Sequence, residues 1–262
     1  MTTAIRRIVF IAMIVAIWEI TSRVGNFPPG SFPPLLFPLD PGGTTVINTF
    51  VSGLLSGQIL TATGITLGRL LLGFTIAIIV GLTLGYLIAR YKLVDDTLGF
   101  LVTALQSIPS IVWLPLAIIW FGYGNASLLF IVTIGATWTV TVSSSTGFKN
   151  VPTLYMNVAK TLGSGGSHLL RTVILPASVP HLISGVRTAW AFAWRAIMAG
   201  ELFVAAGGLG YLLTVGRSLG QMDLVLSVMI VIGIIGTIVD NLVFLRVERS
   251  VQKKWGLKPG LH

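Results

Sequence analysis

Residues 157–176 read Asn157-Val158-Ala159-Lys160-Thr161-Leu162-Gly163, then nine intervening residues, then Val173-Ile174-Leu175-Pro176. Backbone chemistry makes this stretch a helix, a turn and a second helix. Pro152 and Thr153 are start signals for the first helix. Gly163, Gly165 and Gly166 break it, and Ser167 is placed to cap a second helix running to about Ile174. Pro176 and Pro180 are expected to end that helix and lead into an apolar run. The surrounding segment, 147–181, is the longest and most basic of the connections assigned below to the inner side. Long, organised loops are usually functional. A compact helix pair standing outside an apolar core is a shape for docking a partner.

The rest of the chain is apolar. Of its 262 residues 54% are hydrophobic and only 10% charged, against roughly 25% charged in a soluble domain. That is too little charge to coat a water-soluble fold, so lipid is the expected solvent. Disorder, collagen and a disulfide scaffold are excluded: the 30 glycines have no three-residue period and there is no cysteine. A transmembrane helix needs about 20 mostly apolar residues. Six segments qualify, at about 8–23, 67–89, 98–121, 127–146, 182–205 and 224–246. The first resembles a signal peptide, but Glu19 and Arg23 follow its apolar run without a small-residue cleavage site, so it reads as a retained helix.

Orientation follows from the basic residues. With the N-terminus inside, the inner loops and ends hold Arg6, Arg7, Arg90, Lys92, Lys149, Lys160, Arg171, Arg246, Arg249, Lys253, Lys254 and Lys258, whereas the outer loops hold Arg23 and Arg217. Such a bias places both termini in the cytoplasm. The formal charge of +9 is therefore read as topology, not as nucleic-acid binding. The expected organisation is an N-terminal part, 1–60, comprising one span and a Pro/Gly-rich outer segment, and a five-span core, 61–262. Within the outer segment, Thr44–Leu55 has the pattern of a short amphipathic helix. Trp255 suits the membrane interface.

The spacing in the inner loop resembles the E-A-A-x-x-x-G-x9-I-x-L-P motif of permease subunits of binding-protein-dependent ABC importers. Ala159, Gly163, Leu175 and Pro176 match; Asn157 replaces the Glu, Val158 the second Ala, and Val173 the Ile. Further pieces resemble the nitrate/sulfonate/taurine/bicarbonate branch in order along about 30–256. They include Leu36-Phe37-Pro38, Thr66-Leu67-Gly68-Arg69, Ile108-Pro109 and Leu114-Pro115-Leu116. Gly185-Val186-Arg187, Ala193-Trp194-Arg195, Glu201-Leu202, Gly207-Gly208-Leu209-Gly210-Tyr211 and Glu248-Arg249 continue the series. The resemblance implies an all-α membrane protein with six transmembrane helices, the type I importer permease fold, in a bacterial inner membrane. It implies that the loop (Asn157, Val158, Ala159, Lys160, Thr161, Leu162, Gly163, Leu175, Pro176) couples to a separate ATPase. It also implies a substrate-binding protein at the outer face and a second permease, identical or different. The chain has no G-x-x-x-x-G-K-[ST], so Mg-ATP belongs to the partner ATPases and no cofactor is expected here.

Charges inside a membrane are costly and are functional candidates. Arg187 and Asp240 lie at similar depth in spans five and six, which favours a structural ion pair over a substrate role. Arg195 lies nearer mid-membrane. It either lines the pathway, where its planar fork suits an oxyanion, or stacks on Trp190, Trp194 or Trp138 or bonds helix carbonyls. Pro109 and Pro115 should kink span three. With Gln106, Ser107 and Ser110 nearby, the kink makes a polar spot on the pathway or serves packing alone. Glu201 is expected to bond outer-loop groups. Gly81, Gly85, Gly233 and Gly236 suggest close helix packing. His168 and His181 lack ligand-type neighbours, so no metal site is expected. The expected substrate is a small anion such as nitrate, a sulfonate, taurine or bicarbonate. The alternatives are a vitamin or pyrimidine precursor or, in another class, ion-coupled secondary transport, against which the docking loop argues.

Overall fold

In hydrocarbon every backbone N–H and C=O must find a partner within the protein, which a helix provides turn by turn. The computed structural model describes residues 3–254 apart from 26, 29, 40–42 and 205, and among these every regular element is helical. Trp255 and Lys258 lie outside the described residues. The helices are α1 (Thr3–Val24), α2 (Val46–Leu55), α3 (Gln58–Arg90), α4 (Lys92–Gln106) and α5 (Ser110–Phe121). They continue as α6 (Asn125–Lys149), α7 (Thr153–Thr161), α8 (Gly166–Phe203), α9 (Leu209–Ser218) and α10 (Met222–Lys253).

Four helices, α3, α6, α8 and α10, are long and apolar enough to cross a membrane, and α4 with α5 makes a fifth span only as a pair bent by 97°. Span three is therefore broken rather than kinked twice. The break falls at residues 107–109, and its carbonyls are satisfied locally: Ala104 O accepts from Ser107 N (3.3 Å) and Ser107 Oγ (2.6 Å), and Leu105 O from Ile108 N (3.2 Å). Pro115 bends nothing, because it sits in the first turn of the segment Leu114–Phe121, where its missing N–H is not needed. The expected first span is the 22-residue α1, but Arg6 and Arg7 before its apolar run and Glu19 and Arg23 after it leave the run too short, and it does not qualify on composition.

The chain forms two compact units. One comprises 1–66 and 201–234, the other 67–200 and 235–262. In the first, α1 carries the outer segment. Trp18 Nε1 donates to Pro33 O (3.1 Å), and Trp18 stacks on Phe32 at 4.1 Å. The Glu19 carboxylate accepts from the backbone N–H of Leu35, Leu36 and Phe37 at 3.0, 3.2 and 3.4 Å. The Leu36-Phe37-Pro38 motif is thus held by one acid. Thr45 caps α2 by accepting from Asn48 N, and Ser227 Oγ ties α10 to Val46 O at 2.8 Å.

In the second unit α6 is the buried centre. A Cβ at Gly81 of α3 would come within 2.6 Å of Val140, and one at Gly73 within 2.9 Å of Val132, so these glycines set the α3–α6 approach. Gly236 faces Trp194, whereas Gly233 has nothing within 4 Å. The helix α8 starts at Gly166 and does not stop at the prolines. A π-turn over Leu170–Ile174 precedes Pro176, and Pro180 lies inside the helix. A π-turn shifts the hydrogen-bond register by one residue, which accommodates a residue that cannot donate.

Candidate functional site

The inner loop is built as a presented helix. At the end of α7, Gly163 has φ +82°. Gly163 N donates to Lys160 O (3.0 Å) and Ser164 N to Ala159 O (2.9 Å), a Schellman closure that requires the left-handed residue. Ala159 faces inward at 7% exposure, while Leu154, Tyr155, Val158 and Leu162 are 50–80% exposed. These four share one side of the helix and border a groove of about 620 Å³ that Pro176 also lines. Leu175 is partly exposed, and Thr161 Oγ1 folds back on Asn157 O at 3.0 Å. Ser167 does not cap the next helix; Gly165 occupies that position without a side-chain bond.

The break in span three opens a second feature. Gln106, Ser107, Ser110, Trp113, Trp138 and Thr139 line a chamber of about 210 Å³ between α4, α5 and α6, with Phe192 of α8 closing it. Gln106 Nε2 lies 3.5 Å from Thr139 Oγ1, and the Ser107 hydroxyl is spent on Ala104 O. The indole Nε1 atoms of Trp113 and Trp138 are buried without an acceptor. Beside the chamber, α8 exposes His181, Ser184, Thr188, Phe192 and Arg195, spaced by three or four residues and hence on one helix face. Arg195 does not stack on a tryptophan: its guanidinium lies 5.9 Å from the Phe192 ring. Trp190 and Trp194 instead stack on each other, and Trp190 packs on Phe74 and Phe244.

Arg187 and Asp240 form a two-pronged pair, with Nε to Oδ1 and Nη2 to Oδ2 both at 2.7 Å. A third contact, absent from the sequence reading, runs from Nη1 to Glu248 Oε2 at 2.8 Å. The signal was available: positions 240 and 248 are two helical repeats apart on one face.

Glu201 is 1% exposed and organises the loop before α9. It accepts from Thr66 Oγ1 (2.9 Å) and Gly210 N (3.0 Å), while Thr66 Oγ1 accepts from Leu209 N (2.9 Å). At φ +103° Gly208 brings its backbone against the carboxylate, which a Cβ would strike. Three scattered motifs, at Thr66, Glu201 and 207–210, thereby meet at one buried acid. Among the described residues no group of three or more His, Asp or Glu is arranged to hold a metal.

A broken apolar span, four long apolar helices and an exposed helix pair between two of them are the frame on which the comparisons with known proteins bear. The chain belongs to the family described as binding-protein-dependent transport system inner membrane component, which matches residues 77–255. A putative ABC transporter permease of Methanocaldococcus jannaschii is 34% identical, over 88% of this chain and 85% of its own length. The nitrate import permease NrtB of Synechocystis sp. is 29% identical, over 91% of this chain and 86% of its own. The putative aliphatic sulfonates transport permease SsuC of Bacillus subtilis is 28% identical, over 92% and 84%. Among solved structures, the inward-facing MetNI methionine ABC transporter aligns with TM-score 0.62 at 20% identity, over 71% of this chain and 92% of that one. An amino acid ABC transporter with histidines gives TM-score 0.62 at 16% identity, over 78% and 98%. The chain is thus an all-α, multi-pass permease subunit of an ABC importer and a transport subunit, not an enzyme; ATP hydrolysis resides in a separate chain.

Proposed function

We propose that this subunit conducts a small oxyanion, of the nitrate or sulfonate kind, across a bacterial inner membrane. In this reading α1 completes six spans and both termini are cytoplasmic. Two permeases, identical or different, pair above two ATPases that carry Mg-ATP, and a binding protein delivers the solute. The segment Asn157–Gly163 with Leu175 and Pro176 is the ATPase dock, meeting the ATPase through its Val158 and Leu162 side, and Gln106, Ser107, Ser110 and Arg195 face the pathway. Arg187 and Asp240 are structural.

The observation that carries the reading is the polar stripe on α8. His181, Ser184, Thr188 and Arg195 are exposed along one face of a membrane-length helix. Hydrocarbon penalises such a face by about 2.5–3.5 kcal/mol for the arginine alone, whereas a water-filled path does not. Neutral donors in the adjoining chamber and one guanidinium suit an acceptor-rich anion rather than a cation. The names of the nitrate and sulfonate relatives point the same way.

Because the chain contains no cysteine, single cysteines test this directly. Thr188→Cys and Ser184→Cys in the assembled transporter should react with a membrane-impermeant thiol reagent, and ATP-driven cycling should change the rate. Leu72→Cys, on an exposed apolar stretch of α3, should remain unreactive. Equal inertness of all three positions would place the stripe against protein or lipid and end the pathway assignment.

A further inference from the structure

α7 has a second face. Its exposed apolar residues 154, 155, 158 and 162 lie on one side, and Met156 and Lys160 point the other way, into a separate cavity of about 460 Å³. Tyr86, Phe148 and Leu170 supply apolar walls, and Arg90, Lys149 and Lys160 supply a cationic rim. The start of α8, at Gly165 and Gly166, lines the same space, adding the positive end of a long helix. Lys149 is paired with Asp95 at 2.6 Å, the one ion pair at this rim among the described residues, so Arg90 and Lys160 leave an excess of positive charge. Arg90 and Lys149 end their helices and Lys160 lies in the last turn of α7, where a cation complements the helix dipole. Compensation of helix dipoles does not account for three helix ends converging on one apolar-walled cavity.

The height of the cavity decides its occupant. Arg90 and Lys149 are the last residues of α3 and α6, both membrane-length helices, so the rim stands where lipid phosphates lie. A basic pocket between helix ends at that level matches an anionic headgroup. We propose that this cavity binds an anionic phospholipid, its phosphate between Arg90 and Lys160 and its acyl chain along Tyr86, Phe148 and Leu170. The bound lipid fastens α7 to the inner ends of α3 and α6. Its opposite face stays free for the ATPase, so lipid composition sets how rigidly the docking helix is held. The inference rests on α3 and α6 crossing a bilayer and not on the docking role of α7, which ATPase stimulation tests separately.

The test is lipid retention by the full-length chain, measured by native mass spectrometry during titration with dioleoylphosphatidylglycerol or dioleoylphosphatidylcholine. The wild type should retain the anionic dioleoylphosphatidylglycerol selectively. Arg90→Gln and Lys160→Gln should each lower that preference about fivefold. Lys253→Gln, in the basic end of α10, should leave it unchanged. Inorganic phosphate is the third ligand, and it should compete only weakly because it has no acyl chain. Equal retention of the two lipids overturns the proposal, as does a preference indifferent to Arg90→Gln and Lys160→Gln or equally sensitive to Lys253→Gln. Tight phosphate binding without lipid selectivity would assign the cavity to a soluble anion and overturn it too.

Discussion

Arg187 shows how one residue joins helices far apart in sequence. Its guanidinium is shared between Asp240 and Glu248, with side chains 29%, 41% and 15% exposed. Removing the arginine leaves two carboxylates facing each other, whereas removing Asp240 leaves Glu248 still paired. Arg187→Ala should therefore destabilise more than Asp240→Ala, by about 2 kcal/mol or more given partial exposure. In a thermal-shift double-mutant cycle the Arg187→Ala/Asp240→Ala chain should be milder than the sum; strict additivity would contradict the geometry. Depth matching made this pair legible in the sequence. Glu248 was not, because it stood only as part of the Glu248-Arg249 resemblance and no partner was assigned to it. Glu201 was legible only as an outer-end acid: the loop it organises depends on Gly208 at φ +103°, a backbone state that no composition reveals.

Among the elements, α7 was the most legible, because Pro152, Thr153 and Gly163 bound it chemically at both ends. The following helix was not. Prolines 176 and 180 read as terminators, yet the π-turn at Leu170–Ile174 leads the helix into Pro176, and the helix runs on past Pro180. Span three failed in the opposite sense. Residues 98–121 are long and apolar enough for one span, with Pro109 and Pro115 read as kinks, so the sequence reading gave one bent helix where backbone geometry gives two at 97°. The two faces of α7 make a separable prediction. Val158→Asp places a charge on the exposed apolar stripe and should abolish stimulation of the ATPase by loaded binding protein, with the permease still folded. The control is Thr153→Asp, exposed at the start of the helix, outside Asn157–Gly163 and off that stripe, which should retain at least half of the stimulation. Full stimulation in Val158→Asp would move the dock elsewhere.

For the whole molecule, hydropathy and charge bias made the membrane class plain, since a chain with 10% charged residues has few other ways to fold. The pathway was not plain. The proposed pathway depends on which face of α8 is left open, and that face is set by burial of Gly185, Ala189 and Ala193 rather than by residue type. The central claim is that this open face conducts an oxyanion during ATP-driven import. It is tested by uptake of labelled nitrate, and of a labelled alkanesulfonate, into proteoliposomes holding the permease with its ATPase and binding protein, normalised to assembled complex. At saturating ATP, Arg195→Met should lower uptake of the transported anion about tenfold, the equivalent of 1.4 kcal/mol, while basal ATP hydrolysis and the amount of complex stay near wild type. Uptake per complex equal to wild type in Arg195→Met, or uptake that proceeds without ATP, would contradict the account.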